Sequence, residues 1–130
     1  MVRVIGARGL PRDSPPPSIR IFLEATGVPP TMGRTATYQG AGNPVWGENF
    51  VFGIDAGRVA GGELRIVATS AGDGHGEGET IGQVRRLPLR ELAGSESLEG
   101  WFDLISPKHG RAMQDADGTV CGLKLDLSLM

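Results

Sequence analysis

The chain has 130 residues, 22% of them charged and 39% hydrophobic, and a formal net charge of −2. That is enough for one domain with its own core, too apolar for wholesale disorder, and without the basic excess that bulk nucleic-acid binding needs. Neither an apolar run of about 18 residues nor a charged-then-apolar leader is visible, and a single Cys121 excludes an internal disulfide, so a reducing, cytoplasmic setting is the expectation, with no transmembrane segment.

Turn formers, 21 Gly and 9 Pro, cluster between short apolar runs with no long helical stripe among them, the punctuation of an all-β fold. Val2 to Ala7 is the first expected strand, β-branched and ended by Gly9 and Pro11. Pro11 to Pro17 holds three consecutive prolines that donate no ladder hydrogen bonds, and it reads as a stiff loop rather than a ligand for an aromatic groove. Ser18 to Ala25 is the second strand, with Ile19, Ile21 and Leu23 inward and Arg20 and Glu24 on the other face beside Phe22. Gly27 to Pro30 is expected to turn the chain, and Arg34 to Tyr38 to form a thin third strand.

Asn43 to Ile54 carries the heaviest apolar face. Trp46, Phe50, Phe52 and Ile54 share it with Glu48, while Val45, Asn49 and Val51 face away, so a central strand is expected after the Asn43-Pro44 turn. Glu63 to Thr69 follows, with Leu64, Ile66 and Ala68 on one side. Ser70 to Thr80, with glycine at every second position from 72 to 78, reads as a surface loop. Ile81 to Leu89 resumes as strand, Pro88 to Leu92 suggests a helical turn, and Glu99 to Ile105 brings Trp101, Phe102 and Leu104. Pro107 to Gly118 is polar loop. Leu123, Leu125, Leu127 and Leu129 then alternate with polar neighbours in the cleanest period-two pattern of the chain. The sum is eight strands and almost no helix.

Catalytic chemistry finds little support. The sequence has one Cys, two His and no Gly-x-Ser-x-Gly elbow; His75 and His109 lack partners at zinc-ligand spacing; and the glycines from Gly72 onward lack the Gly-Lys-Ser/Thr of a phosphate-cradling loop. Cys121, at the head of the last strand, reads as a small buried hydrophobe. Asp115 and Asp117 before Gly118 superficially suggest an EF-hand, but its first and twelfth positions would be Met113 and Lys124, so a hairpin turn is the better reading. No enzyme activity and no cofactor are expected.

Taken together, Val-Ile-Gly-Ala-Arg-Gly-Leu-Pro at 4 to 11, the strand from Ser18, Asn43-Pro44-Val45-Trp46 with Glu48 and Phe50-Val51-Phe52, Leu64-Arg65-Ile66-Val67, Ile81-Gly82 and Gly100-Trp101-Phe102-Asp103-Leu104 resemble a C2 domain of type II topology. The resemblance covers nearly the whole chain. It implies a single, stand-alone domain, residues 1 to 130: an eight-stranded antiparallel β-sandwich with Greek-key connections, whose end loops bind calcium and then phospholipid in many members.

Calcium needs six to eight oxygens, several of them carboxylate. The resemblance implies five aspartate ligands, of which Asp13 matches one and Glu79 another. The other positions fall at Pro16, Thr69 and Ala71, with Asp73 and Glu77 as extras in the glycine-rich loop. The site implied by Asp13, Asp73, Glu77 and Glu79 is therefore weak or degenerate at best. Some C2 domains instead hold acidic lipid on basic side chains, for which Arg20, Arg34, Arg85 and Arg86 are the candidates, for a membrane or a partner protein. The function expected is a binding module docking on phospholipid surfaces or a partner protein with little or no calcium dependence; the alternative is a calcium-dependent module using the degenerate acidic site.

Overall fold

The computed structural model of the chain describes residues 1–9, 17–25, 28–36, 44–52, 61–71, 77–93, 98–106, 110–114 and 120–128. Among these run nine strands and one short helix: β1 (Val2–Arg8), β2 (Pro17–Ala25), β3 (Val28–Arg34), β4 (Val45–Phe50), β5 (Glu63–Ala71), β6 (Glu77–Gln83), the two-residue β7 (Leu87–Pro88), α1 (Leu89–Ala93), β8 (Leu98–Asp103) and β9 (Gly122–Leu127). Eight of the strands are the expected set in outline, and β7 is an addition. They form two antiparallel sheets, β4-β1-β9-β8 and β3-β2-β5-β6, with β7 beside β5.

The core lies between two ladders of aliphatic side chains. In the second sheet Ile19, Ile21 and Leu23 stand opposite Ala68, Ile66 and Leu64, and all six are buried. In the first, Val2, Val4 and Ala7 stand opposite Leu127, Leu125 and Leu123, again all buried. Each fully buried Leu or Ile side chain contributes roughly 1.5–3 kcal/mol, far above a typical surface contact, so these alternating residues set the register. The helical turn expected near Pro88 is α1, which closes one end by burying Leu89 and Leu92.

The strand read as central sits at the edge. β4 ends the first sheet, and its side chains alternate exposed and half-buried, with Trp46, Glu48 and Phe50 inward as their spacing predicted. Trp46, Phe50 and Phe52 pack against the core's margin rather than filling its centre. They work by bridging the two sheets. The Trp46 indole Nε1 donates to the Ala36 carbonyl at 2.8 Å, and Glu48 Oε2 accepts the Ala36 N–H at 2.9 Å, so two side chains of β4 grip one residue beyond β3. The Phe50 ring lies on Gly33, where a Cβ would come within 2.6 Å of it.

Three other boundaries moved. The third strand is Val28–Arg34, not Arg34 to Tyr38, and Pro29 and Pro30 lie inside it rather than in a turn. A proline is tolerated there because β3 is the last strand of its sheet, where a missing N–H breaks no ladder on the open side. The loop expected over Ser70 to Thr80 is shorter, since the β5 and β6 backbones pair as far as Ala71 and Glu77. The strand expected over Ile81 to Leu89 breaks after Gln83, with Arg85 and Arg86 exposed and Leu87 buried in β7. Tyr38, Ile54 and Leu129 lie outside the described residues, as does most of the loop from Pro107 to Gly118.

β1 gains one residue against β9 between Val4 and Gly6, and Gly6 sits at this bulge with Ala7 N–H donating to the Pro44 carbonyl at 3.0 Å. A Cβ on Gly6 would lie 2.7 Å from that same oxygen, a backbone atom that cannot swing aside. Gly6→Ala is expected to cost about 1–3 kcal/mol, seen in urea denaturation as a lower midpoint at unchanged slope. A midpoint equal to that of the parent chain would show that the bulge tolerates a side chain.

Candidate functional site

Register brings the acidic candidates' segments to one end of the second sheet. Pro17, the first residue of β2, pairs with Ser70 near the end of β5, and Ala71 pairs with Glu77 at the start of β6. Asp13 and Asp73 lie outside the described residues, and so do the side chains of Glu77 and Glu79. Among the described residues no three His, Cys, Asp or Glu side chains gather at metal-binding distance. Thr69 stands where the C2 resemblance implies an aspartate ligand. It is buried, its hydroxyl lies 3.2 Å from Ser18 Oγ and donates to the Ser18 carbonyl at 3.4 Å. A hydroxyl already engaged in a cross-strand pair supplies no anionic charge to a cation.

The four arginines divide. Arg20 and Arg34 stand directly opposite each other on β2 and β3, on the outer face of the second sheet. Arg34 is exposed at the edge, while Arg20 is buried at 5% exposure, so Arg34 is the one placed for contact. Met32, two residues before Arg34 and on the same face, is 53% exposed. Arg86 lies toward the other end of that face, donating to Glu63 at 2.5 Å and to Glu24 at 3.4 Å. The hydrogen bond to Glu63, then the charges of Glu63 and Glu24, raise its pKa above the ordinary arginine value, so it stays cationic at every accessible pH. Arg85 pairs with Glu91 of α1 at 3.2 Å. The structure thus places Arg20 opposite Arg34, pairs Arg85 with Glu91, and pairs Arg86 with Glu63 and Glu24.

One more cation occupies this face. Arg65 lies over the Phe22 ring at 4.2 Å and donates to Glu24 at 3.3 Å. Glu24, Glu63, Arg65 and Arg86 therefore offset one another, two charges of each sign, while Arg20 and Arg34 lie opposite each other farther along the face, toward the end where the segments flanking Asp13 and Asp73 meet. Sequence reading missed Arg65 because it weighed arginines strand by strand; its period-two offset from Leu64 was the available signal. Thr35 was missed as well. It follows Arg34, is 2% exposed, accepts the Ile19 N–H on its hydroxyl at 2.9 Å and donates its own N–H to the Ile19 carbonyl at 2.9 Å. That pairing continues the ladder past the end of β3 and fixes the backbone that presents Arg34.

The family model for the C2 domain matches residues 1–104. No curated protein matches the chain. Among solved structures, C2 domain A of a plant extended synaptotagmin 1 shares 20% identity at a TM-score of 0.71, covering 96% of this chain and 88% of that one. The calcium-bound pair of C2 domains, A and B, of extended synaptotagmin 2 shares 20% identity at 0.68, with 98% of this chain and 40% of that one covered. Human GIVD cytosolic phospholipase A2 shares 21% identity at 0.65 over 96% of this chain, which spans 14% of the enzyme. At these identities the likeness concerns the fold.

Thr35→Val keeps the shape but removes the acceptor of a buried N–H. A loss of about 1–3 kcal/mol in urea denaturation is expected, together with faster amide exchange at Ile19. Unchanged exchange at Ile19 would mean that the hydroxyl is dispensable.

Proposed function

The chain belongs to the C2 domain family, and on that premise we propose that it is a non-catalytic binding module that docks on anionic phospholipid surfaces through the Arg20 and Arg34 end of its second sheet, with little or no dependence on calcium. The observation that carries this reading is an exposed arginine beside an exposed methionine on the outer face, at the edge of the second sheet. Arg34 is exposed on β3 with Met32 exposed two residues before it, away from the four charges at the other end that offset one another.

Magnitudes limit the affinity. A basic residue close to an anionic leaflet adds about 1 kcal/mol, and screening cuts this off within roughly 8 Å at physiological salt. With one arginine in contact, docking is weak, reversible and salt-sensitive, and Met32 supplies the apolar part. Such an affinity suits a module that works beside a second attachment or on a crowded surface.

A second reading rests on a different observation. The β2, β5 and β6 ends that flank Asp13 and Asp73 meet at one end of the second sheet, and one solved neighbour of the same fold is described as calcium bound. Under that reading the acidic loop gathers a cation first and lipid second. Against it stands Thr69, whose hydroxyl is committed to Ser18.

Cosedimentation with phosphatidylserine-containing vesicles, with calcium and with chelator, separates the two. Equal partition in both conditions is expected, falling with added salt and falling further in Arg34→Glu, whereas Arg85→Glu leaves it nearly unchanged. Binding seen only with calcium would replace the first reading by the second; binding in neither condition would leave a protein partner as the target.

A further inference from the structure

The outer face of the first sheet carries a cluster to which the lipid reading assigns no role. Arg8 sits over the Trp101 ring, its guanidinium carbon 4.3 Å from the ring centre. Trp101 is 44% exposed, and Lys124 stands directly opposite it on β9. Gly122, opposite Arg8, makes the stack feasible: a Cβ there would sit 3.6 Å from the Trp101 ring and 3.8 Å from Arg8 Nε, and any longer side chain would wedge between them. Arg8 Nε is buried with no hydrogen-bond acceptor, and among the described residues no carboxylate pairs with Arg8 or Lys124. Across the sheet from Lys124, Gly6 is covered by the Pro44 carbonyl, and Val45, 72% exposed, closes the row.

We propose that this face is a docking site for an extended acidic peptide of a partner protein, with Arg8 and Lys124 each receiving one carboxylate and the Trp101 ring covered between them. Arg8 pairs with Gly122, two residues from Lys124 on β9, so the two cations are diagonal neighbours about 7–8 Å apart at their backbones. Side chains two apart on one side of an extended peptide are separated by about 6.6 Å, which matches that diagonal. The contact with the indole restrains the guanidinium before binding, so less motion is lost when a carboxylate engages it.

A peptide fits better than a membrane for two reasons. Arg3, Arg8 and Lys124 share the face with Glu99, Asp103 and Asp126, three charges of each sign, so the face as a whole does not attract a uniformly anionic surface, while individual positions can still be matched. The second reason rests on the lipid reading above: the two outer faces of a sandwich point in opposite directions, so docking through Arg34 turns Arg8 and Trp101 away from the bilayer.

The test uses the whole chain and fluorescein-labelled short peptides with Glu-Leu-Glu, Glu-Glu-Leu or Gln-Leu-Gln cores, followed by fluorescence anisotropy and amide chemical-shift mapping. The Glu-Leu-Glu peptide is expected to bind about tenfold more tightly than either other core, with shifts on β1, β8 and β9. Arg8→Gln and Lys124→Gln should each weaken it by about tenfold, and Arg34→Glu should leave it unchanged. Lys124 lies off the stack, so its variant keeps the test open even if Arg8→Gln fails to fold. Equal affinity for the three cores, no binding, or binding indifferent to both variants would overturn the proposal, as would vesicle docking lost in those variants in place of peptide binding. No vesicle enters the peptide measurement, so failure of the lipid reading leaves its outcome independent.

Discussion

Two buried ladders, one on each sheet, are the constraint on which the remaining features depend. Because side chains alternate along a strand, placing Ile19, Ile21 and Leu23 against Ala68, Ile66 and Leu64 fixes which residues of β2 and β5 look outward. A slip by one residue would turn Arg20, Glu24 and Arg65 into the core, at a cost no surface interaction could offset. The arrangement of charges on the surface is therefore a by-product of apolar packing. It is as rigidly specified as the core itself.

That specification gives the two outer faces different characters. On the second sheet, opposite charges meet at one end and like charges face each other at the other, across the β2 and β3 pair. On the first sheet, charges of both signs are interspersed and a guanidinium rests on an aromatic ring. The proposed docking on a diffuse anionic surface draws on the former face, the proposed peptide with charges at fixed spacing on the latter. Trp46 and Glu48 hold the two faces in fixed relation by gripping the Ala36 backbone across the sandwich edge.

Most of the fold was legible in the sequence because most of it obeys period two. The alternation of Leu123, Leu125 and Leu127 predicted three fully buried side chains, and all three are at 0% exposure. Where expectation failed, sheet position overrode local pattern. Bulk made the strand around Trp46 look central, yet its large residues serve as a clasp at an edge. The two prolines of β3 looked like a turn, and only the sheet's end makes them acceptable in a strand. The site was less legible for a related reason. Whether Arg20 and Arg34 meet depends on the pairing of β2 with β3, a non-local fact, and so does the engagement of Arg86 by Glu63, which lies in another strand. Thr69 was read as a missing ligand; that its hydroxyl is occupied by Ser18 became visible only in three dimensions.

The bulge in β1 has a further consequence. Val2 and Val4 point inward at even positions, yet Ala7 points inward at an odd one, because Ile5 adds a residue with no counterpart on β9. The bulge is a phase shift in the strand's alternation. Arg3 and Arg8, five positions apart and so of opposite parity, emerge on the same side only because of it. Were the strand regular from Val2 onward, position 8 would belong to the interior, and an arginine there would have no solvent to reach. One inserted residue thus decides that the guanidinium on Trp101 is a surface group, and it couples the chemistry of that face to the length of the first strand.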